Sequence, residues 1–327
     1  MFFRLTLDSS TELLFGESVK SQLESTDGED AFAHAFDNAQ HYSALRGRLG
    51  YFYWTYNPKE MQDSVKYIHN FVDRYVKPAL DSTTKVKGIQ DKDDSKYVFS
   101  EAIAQQTNDP VEIRSQLLNI LLAGRDTTAS LLSYVFRHLV RHPQVLAKLR
   151  KTILNDFGDY ENPRDISFAT LKSCTYLQHV INETLRLTTI VPINFRNATR
   201  DTTLPRGGGP DGSKPIFVRK GQVVEYSIHV LHRRKDIWGD DAEEFKPERW
   251  QGRRPGWEFL PFNGGPRICI GQQLALTTAS YVVVRLLQRF ERVEGTAEEL
   301  SAPELHNLTL TACPHQGPFV SLTKAAA

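Results

Sequence analysis

One long helical pattern sets the frame for this chain. It runs from Val111 to His142 and stops at Pro143, whose ring and missing N–H cannot continue a helix. A second helix is predicted from about Pro143 to Phe157, another over Tyr176–Arg186 ahead of Leu187, and a last one over about Gln272–Phe290. The first 80 residues read as helices, broken near Ser25–Asp30 and at Asn57-Pro58. Phe3, Leu7, Leu14 and Phe15 stand at helical spacings with no preceding cap, so the chain is expected to begin inside an element. Asp81–Ser95, polar, rich in lysine and aspartate and without an apolar period, reads as an exposed loop.

Past Leu187 the pattern shortens. Asn194–Thr199, Ile216–Val218 and Val223–Ile228 read as strands, punctuated by Gly207-Gly208-Gly209 and Pro210-Asp211-Gly212. A long irregular stretch follows from Leu231 to Gly271, and Leu308–Thr311 and Pro318–Leu322 close the chain as strand-like pieces. The fold class is therefore mainly α with a small β region, without internal repeats.

A chain of 327 residues can bury a sizeable core as one large domain or two ordinary ones. Forty basic residues against thirty-nine acidic ones leave a net charge of +1, so nothing global draws the chain to nucleic acid. Cys174, Cys269 and Cys313 lie far apart, which excludes a disulfide scaffold and disfavours a multi-cysteine zinc site. No apolar run reaches the ~18 residues of a membrane-spanning helix, and Arg4, Asp8 and Glu12 interrupt the start. Neither a secretory signal nor a membrane anchor is expected.

Some patterns imitate sites. His138 and His142 stand four apart on one helix, but the metalloprotease signature needs Glu where Leu139 stands. Beside Pro143, His142 reads instead as an imidazole meeting the last carbonyls of its helix. Gly207 and Gly212, followed by Ser213-Lys214, resemble a phosphate loop in the wrong order, and Pro215 opens a strand where a helix is required. These glycines read as turn residues with positive φ. No G-x-S-x-G elbow marks a nucleophile.

The chemistry centres on Phe262-Asn263-Gly264-Gly265-Pro266-Arg267-Ile268-Cys269-Ile270-Gly271. Two glycines and a proline force a tight turn just before a single cysteine, and a helical pattern begins after Gly271. Unpaired N–H groups and the dipole at a helix N-terminus favour thiolate over thiol. A thiolate in a rigid loop can ligate a metal without moving. Arg267 supplies a cation suited to a carboxylate, and Phe262 an aromatic wall. Taken alone, a free cysteine is more often a buried structural residue.

The string fits F-x-x-G-x-R-x-C-x-G, and on these residues the chain resembles the cytochrome P-450 family. Phe262, Gly265, Arg267, Cys269 and Gly271 match its haem-binding signature. Further motifs follow in the family's order. Ala123-Gly124-Arg125-Asp126-Thr127-Thr128 resembles the oxygen-activation motif of its long central helix. Glu183-Thr184-Leu185-Arg186 fits E-x-x-R, and Phe245-Lys246-Pro247-Glu248-Arg249-Trp250 resembles F-x-P-E-R-F, with Trp in the last place. Gly124 in mid-helix costs about 1 kcal/mol relative to Ala, and Thr127 can bond a carbonyl one turn back. The resemblance implies a groove at Gly124 that admits O2, with Asp126 and Thr127 helping to deliver protons. Glu183 and Arg186 share a helix face. The resemblance adds Arg249 as third partner of a buried triad that locks the cysteine loop. It also implies a propionate contact for Arg196 and a substrate-pocket lining of Val191, Pro192 and Ile193. Thr189 stands where many members carry proline.

A closer similarity is to fungal members that hydroxylate n-alkanes and fatty acids at the chain terminus. It is carried by Phe2 to Ser9, Phe15 to Ser18, Ala123 to Thr128 and the unusual phrase Asp201-Thr202-Thr203-Leu204-Pro205-Arg206-Gly207-Gly208-Gly209-Pro210. The resemblance implies a haem-thiolate monooxygenase with haem b on Cys269, O2 and a long-chain apolar substrate. Electrons would come from NADPH through a separate cytochrome reductase. It implies that residues 1–327 form a single, incomplete domain of the family, lacking the N-terminal anchor and first helices. The intact relatives would sit at the endoplasmic reticulum membrane; this chain, without an anchor, would be peripheral or cytosolic. Exposed apolar helix faces and weakened haem affinity are expected to follow. The alternative is a non-catalytic fragment or haem-binding remnant of such an enzyme.

Overall fold

The computed structural model describes residues 1–23, 29–86, 97–301, 303, 305–315 and 317–325. The chain opens with α1 (Phe2–Phe15), α2 (Glu29–Arg48), α3 (Lys59–Val86), α4 (Phe99–Ala104), α5 (Pro110–Arg141), α6 (Pro143–Phe157), α7 (Phe168–Ser173) and α8 (Thr175–Leu187). Strands β1 (Ile193–Asn197), β2 (Thr202–Gly208), β3 (Lys214–Val218) and β4 (Val223–Ser227) follow, then the short α9 (Ile228–Leu231) and α10 (Lys235–Trp238). After a mostly irregular run come α11 (Gln272–Arg289), β5 (Phe290–Gly295), α12 (Ala297–Ser301), β6 (His306–Leu308), β7 (Ala312–Pro314) and β8 (Val320–Lys324). The residues group into two compact units: Met1–Ile181 with Ile270–Ala327, and Asn182–Cys269.

In the larger unit, α5 begins where Asp109 caps it by accepting the Val111 N–H at 2.8 Å, with Pro110 at the first helical position. Ile113, Leu117 and Leu121, one turn apart, enter a core shared with Leu7 and Leu14 of α1, Phe32 and Phe36 of α2, and Val72 and Val76 of α3. From Thr128 to Val140 the helix is buried on every side. Such burial around the whole circumference marks a central helix. β5 pairs with β8 and β6 with β7, both antiparallel. The smaller unit carries two more antiparallel pairs, β1 with β4 and β2 with β3. The mainly α class with a small β region is as the sequence predicts. Among the described residues no helix is long and apolar enough to cross a membrane.

Four local expectations are corrected. The segment read as a loop from Asp81 is helical to Val86, because extending a helix already anchored by Val72, Val76 and Ala79 costs little per added residue; residues 87–96 lie outside the described ones. Glu29 and Asp30, assigned to a helix break, already belong to α2, and the rest of that break lies at 24–28, also outside the described residues. Of the strand read over Leu308–Thr311, Leu308 ends β6 and 309–311 form the turn of a hairpin, with β6 pairing β7 on either side. Thr202–Gly208, not among the predicted strands, is a strand opposite β3. A register shift between Leu204 and Gly208 takes up Pro205 and the glycines. Gly207 and Gly212 have the expected positive φ, Gly207 within β2 and not in a turn. His142 Nδ1–H donates to the His138 carbonyl at 2.8 Å, closing the end of α5.

Candidate functional site

Cys269 ends a loop that is closed on itself. Its backbone N–H donates to the Phe262 carbonyl at 2.9 Å, and Ile268 N–H donates to the Gly265 carbonyl at 3.1 Å. Gly265 has a φ of 68° and Asn263 one of 61°, both in the left-handed region. The first explains why the motif needs glycine there, since a side chain in that conformation costs ~1–2 kcal/mol. Cys269 is a free, exposed thiol. The other two cysteines are less accessible: burial pushes the Cys174 thiol up to about 11 and also raises that of Cys313. Arg267, exposed, makes no hydrogen bond or ion pair among the described residues. Phe262 is half-buried, and Gly271 is the N-cap of α11, two residues after Cys269.

The triad is present and larger than the sequence implies. Glu183 and Arg186 are fully buried, and the carboxylate takes the guanidinium bidentately, with Nε and Nη2 both at 2.9 Å. Arg249 Nε and the Lys246 N–H each reach Oε1 at 2.9 Å, and the Trp250 indole N–H reaches Oε2 at 2.9 Å. The tryptophan that replaces the family's phenylalanine therefore adds a donor that a phenyl ring cannot supply. Arg249 also meets Asp241 at 2.9 Å. Hydrogen bonds from Lys246 and Arg249 hold that carboxyl down at about 2. The remaining Arg186 donors go to the carbonyls of His232, Ala242 and Glu244. Two carboxylates thus balance two guanidiniums, which offsets much of the cost of burying them.

His232, fully buried, adjoins this cluster. Its Nε2 accepts the Leu260 N–H at 2.9 Å, which requires an unprotonated nitrogen there. Burial, and then the Arg186 charge, push it from 6.5 down to about 4. Between those values the unfolded chain binds a proton that the folded chain does not. The stability contributed by the neutral ring is therefore whole above pH 6.5 and falls as the pH drops toward 4, by at most about 3 kcal/mol. The stability difference between wild type and His232→Gln is expected to shrink between pH 7 and pH 4.5 in urea denaturation. A difference constant over that range would contradict the buried neutral ring. Thr189, where the family often has proline, lies 3.4 Å from His232 Nδ1 and donates its hydroxyl to the Arg186 carbonyl at 3.3 Å.

In the larger unit, the α5 motif forms a polar patch facing α2. Thr127 Oγ1 donates to the Ala123 carbonyl at 2.7 Å, the back-bond read from the sequence. Asp126 is buried and does not meet Thr127. One carboxylate oxygen faces Arg125 Nη1 at 3.2 Å and the other accepts from Gln40 of α2. Arg125 in turn pairs with Asp37, one turn from Gln40 on the same helix face. Burial raises the Asp126 carboxyl, against the opposing pull of Arg125 and Gln40. A Cβ at Gly124 would meet only Ser10 Oγ of α1, at 3.5 Å, an ordinary contact.

Arg196 is exposed on β1, its guanidinium donating to the Phe195 carbonyl at 2.7 Å and lying 5.8 Å from the Tyr226 ring. Val191 and Pro192 are half-buried, and Ile193 opens β1 exposed. The sequence reading missed Trp250 as a donor, and also His232, Tyr226, Asn263, Asp37 and Gln40. Only Asn263 carried a local signal, since asparagine beside two glycines favours the left-handed conformation it adopts.

The family model described as cytochrome P-450 matches residues 1–316. The chain is similar to a cytochrome P-450 monooxygenase of Fusarium sp, 54% identical over 97% of this chain and 57% of that relative. Cytochrome P-450 52A13 of Debaryomyces hansenii is 48% identical over 99% of this chain and 64% of its own length. Cytochrome P-450 52A1 of Candida tropicalis is 50% identical over 98% and 61% respectively. The chain thus spans less than two thirds of the length of these curated relatives. By its mainly helical fold with small sheets and a match along nearly all its residues, the chain belongs to the cytochrome P-450 family.

Proposed function

We propose that the chain is the haem-thiolate portion of a monooxygenase that inserts one oxygen atom from O2 into the terminal C–H bond of an n-alkane or fatty acid. The observation that carries this reading is Cys269: a free, exposed thiol in a loop closed by its own N–H on Phe262. The donor set fits haem b, with one soft thiolate for the iron and a guanidinium at Arg267 free to take a carboxylate. Arg196 would serve a second carboxylate, Phe262 would wall the ring, and Gly265 and Gly271 would keep the loop tight. When bound, haem would supply the oxidative chemistry, and the Cys269 thiolate would favour it by donating electron density.

The chain's own residues would bind, orient and handle protons. Asp126, a buried carboxylate held by Arg125 and Gln40, would relay a proton, and the Thr127 hydroxyl would pass one on after leaving the Ala123 carbonyl. Gly124 would leave the backbone without a side chain at the groove that admits O2; a Cβ there would meet Ser10 Oγ at 3.5 Å. Val191, Pro192 and Ile193 would line the substrate pocket and exclude water. The substrate class rests on the phrase Asp201–Pro210 and its companions in the fungal hydroxylases. Electrons would come from NADPH through a separate cytochrome reductase at the endoplasmic reticulum membrane. We propose further that residues 1–327 belong to one domain of the family, in keeping with the family match over residues 1–316.

The test is turnover of haem-loaded chain with a cytochrome reductase, NADPH and either hexadecane or lauric acid. A terminal alcohol that depends on NADPH and O2 is the expected product. Reduction of the haem without any hydroxylated product would leave the chain a haem-binding remnant and overturn the reading.

A further inference from the structure

Two neutral side chains outside the family motifs hold the cysteine loop at one turn. His232 Nε2 accepts the Leu260 N–H at 2.9 Å. Three residues on, the Tyr226 hydroxyl donates to Asn263 Oδ1 at 2.8 Å, and Asn263 Nδ2 donates to Asn194 Oδ1 at 3.3 Å. Asn194 of β1 and Tyr226 of β4 are cross-strand partners, so both reach Asn263 from the same face of the sheet. Leu260 and Asn263 are themselves joined, Asn263 N–H donating to the Leu260 carbonyl at 3.1 Å. Two independent struts therefore converge on Leu260–Asn263.

That turn contains Phe262, whose carbonyl receives the Cys269 N–H. Displacing the turn displaces the acceptor that fixes the Cys269 backbone. The left-handed φ of Asn263 is uncommon outside glycine, and the hydroxyl and amide on either side of its side chain specify it. At the other end His232 is tied to the triad, since its carbonyl accepts Arg186 Nη1 at 2.9 Å. The neutral state required at Nε2 agrees with the downward push on this imidazole.

We propose that His232 and Tyr226 are positioning residues for Cys269: through Leu260 and Asn263 they fix the turn whose Phe262 carbonyl holds the cysteine backbone. Neither touches the thiol. This inference rests on the haem-thiolate reading for its consequence, which is that the thiolate is presented in one geometry.

The test uses the full 327-residue chain as wild type, Tyr226→Phe, His232→Leu and His232→Gln. Tyr226→Phe removes only a hydroxyl and should keep the helical circular dichroism. In haem-free protein, exchange of the Cys269 and Asn263 amides is expected to quicken about five- to tenfold in Tyr226→Phe, the loss of one ordinary hydrogen bond. His232→Leu should do the same at Leu260, and His232→Gln, whose side-chain oxygen can accept that N–H, should recover part of the protection. After loading with haem, the reduced carbon-monoxide spectrum of Tyr226→Phe should show a several-fold smaller thiolate-type fraction than wild type. Variants matching wild type in both exchange and spectrum would overturn the positioning role. If wild type itself shows no thiolate-type band, the haem-thiolate reading fails. The exchange data still decide the struts: unchanged protection at 260–269 in all variants overturns them, and faster exchange at Cys269 upholds them.

Discussion

Glu183→Gln is expected to lower the unfolding free energy of the chain by about 3–5 kcal/mol, with no change in side-chain shape. The carboxylate takes five donors from four residues, and both it and Arg186 are fully buried. Without its charge, Arg249 keeps Asp241, but Arg186 keeps only carbonyls. A buried guanidinium with no counter-charge is the expensive outcome, and the amide N–H2 of glutamine would also face donors. Trp250→Phe is the control. It removes one donor from Glu183 Oε2, which retains Arg186 Nε, and should cost about 1 kcal/mol. Urea denaturation measures both. A Glu183→Gln loss below that of Trp250→Phe would mean that water reaches the cluster and that it does not anchor residues 182–269.

That cluster also shows where sequence reading succeeds and where it stops. Glu183 and Arg186 lie three apart on one helix, so their pairing follows from local geometry. Arg249 entered through family resemblance, because a partner sixty-six residues away leaves no periodic trace. The same limit hid the Trp250, His232 and Tyr226 contacts, each set by tertiary packing across tens of residues. Gln40 and Asp126 are eighty-six positions apart. Among the elements, α5, α6, α8 and α11 were legible to within a residue or so. Asp109-Pro110 and Pro143 punctuate them, and their apolar spacing is local. β2 was not legible, since Pro205 and three glycines read as loop until pairing with β3 and a register shift accommodate them. The end of α3 was lost for the opposite reason: a polar stretch stays helical when the turns before it are anchored.

The second large effect concerns the thiol itself. If Cys269 supplies the iron ligand, Cys269→Ala removes thiolate ligation outright. Nothing nearby in sequence replaces it, Cys174 being buried with its thiol pushed up to about 11 and Cys313 half-buried and likewise raised. The fold should survive the change, because the Cys269 side chain is exposed and the bond that closes the loop uses its backbone N–H. A spectral loss with intact circular dichroism would therefore report ligation alone.

The reduced carbon-monoxide difference spectrum of the haem-loaded chain, recorded beside Cys269→Ala, tests the haem-thiolate assignment most directly. A strongly red-shifted Soret band in the wild type that disappears in the variant is the predicted result. Identical spectra for the two proteins, or no red-shifted band in either, would contradict Cys269 as the ligand.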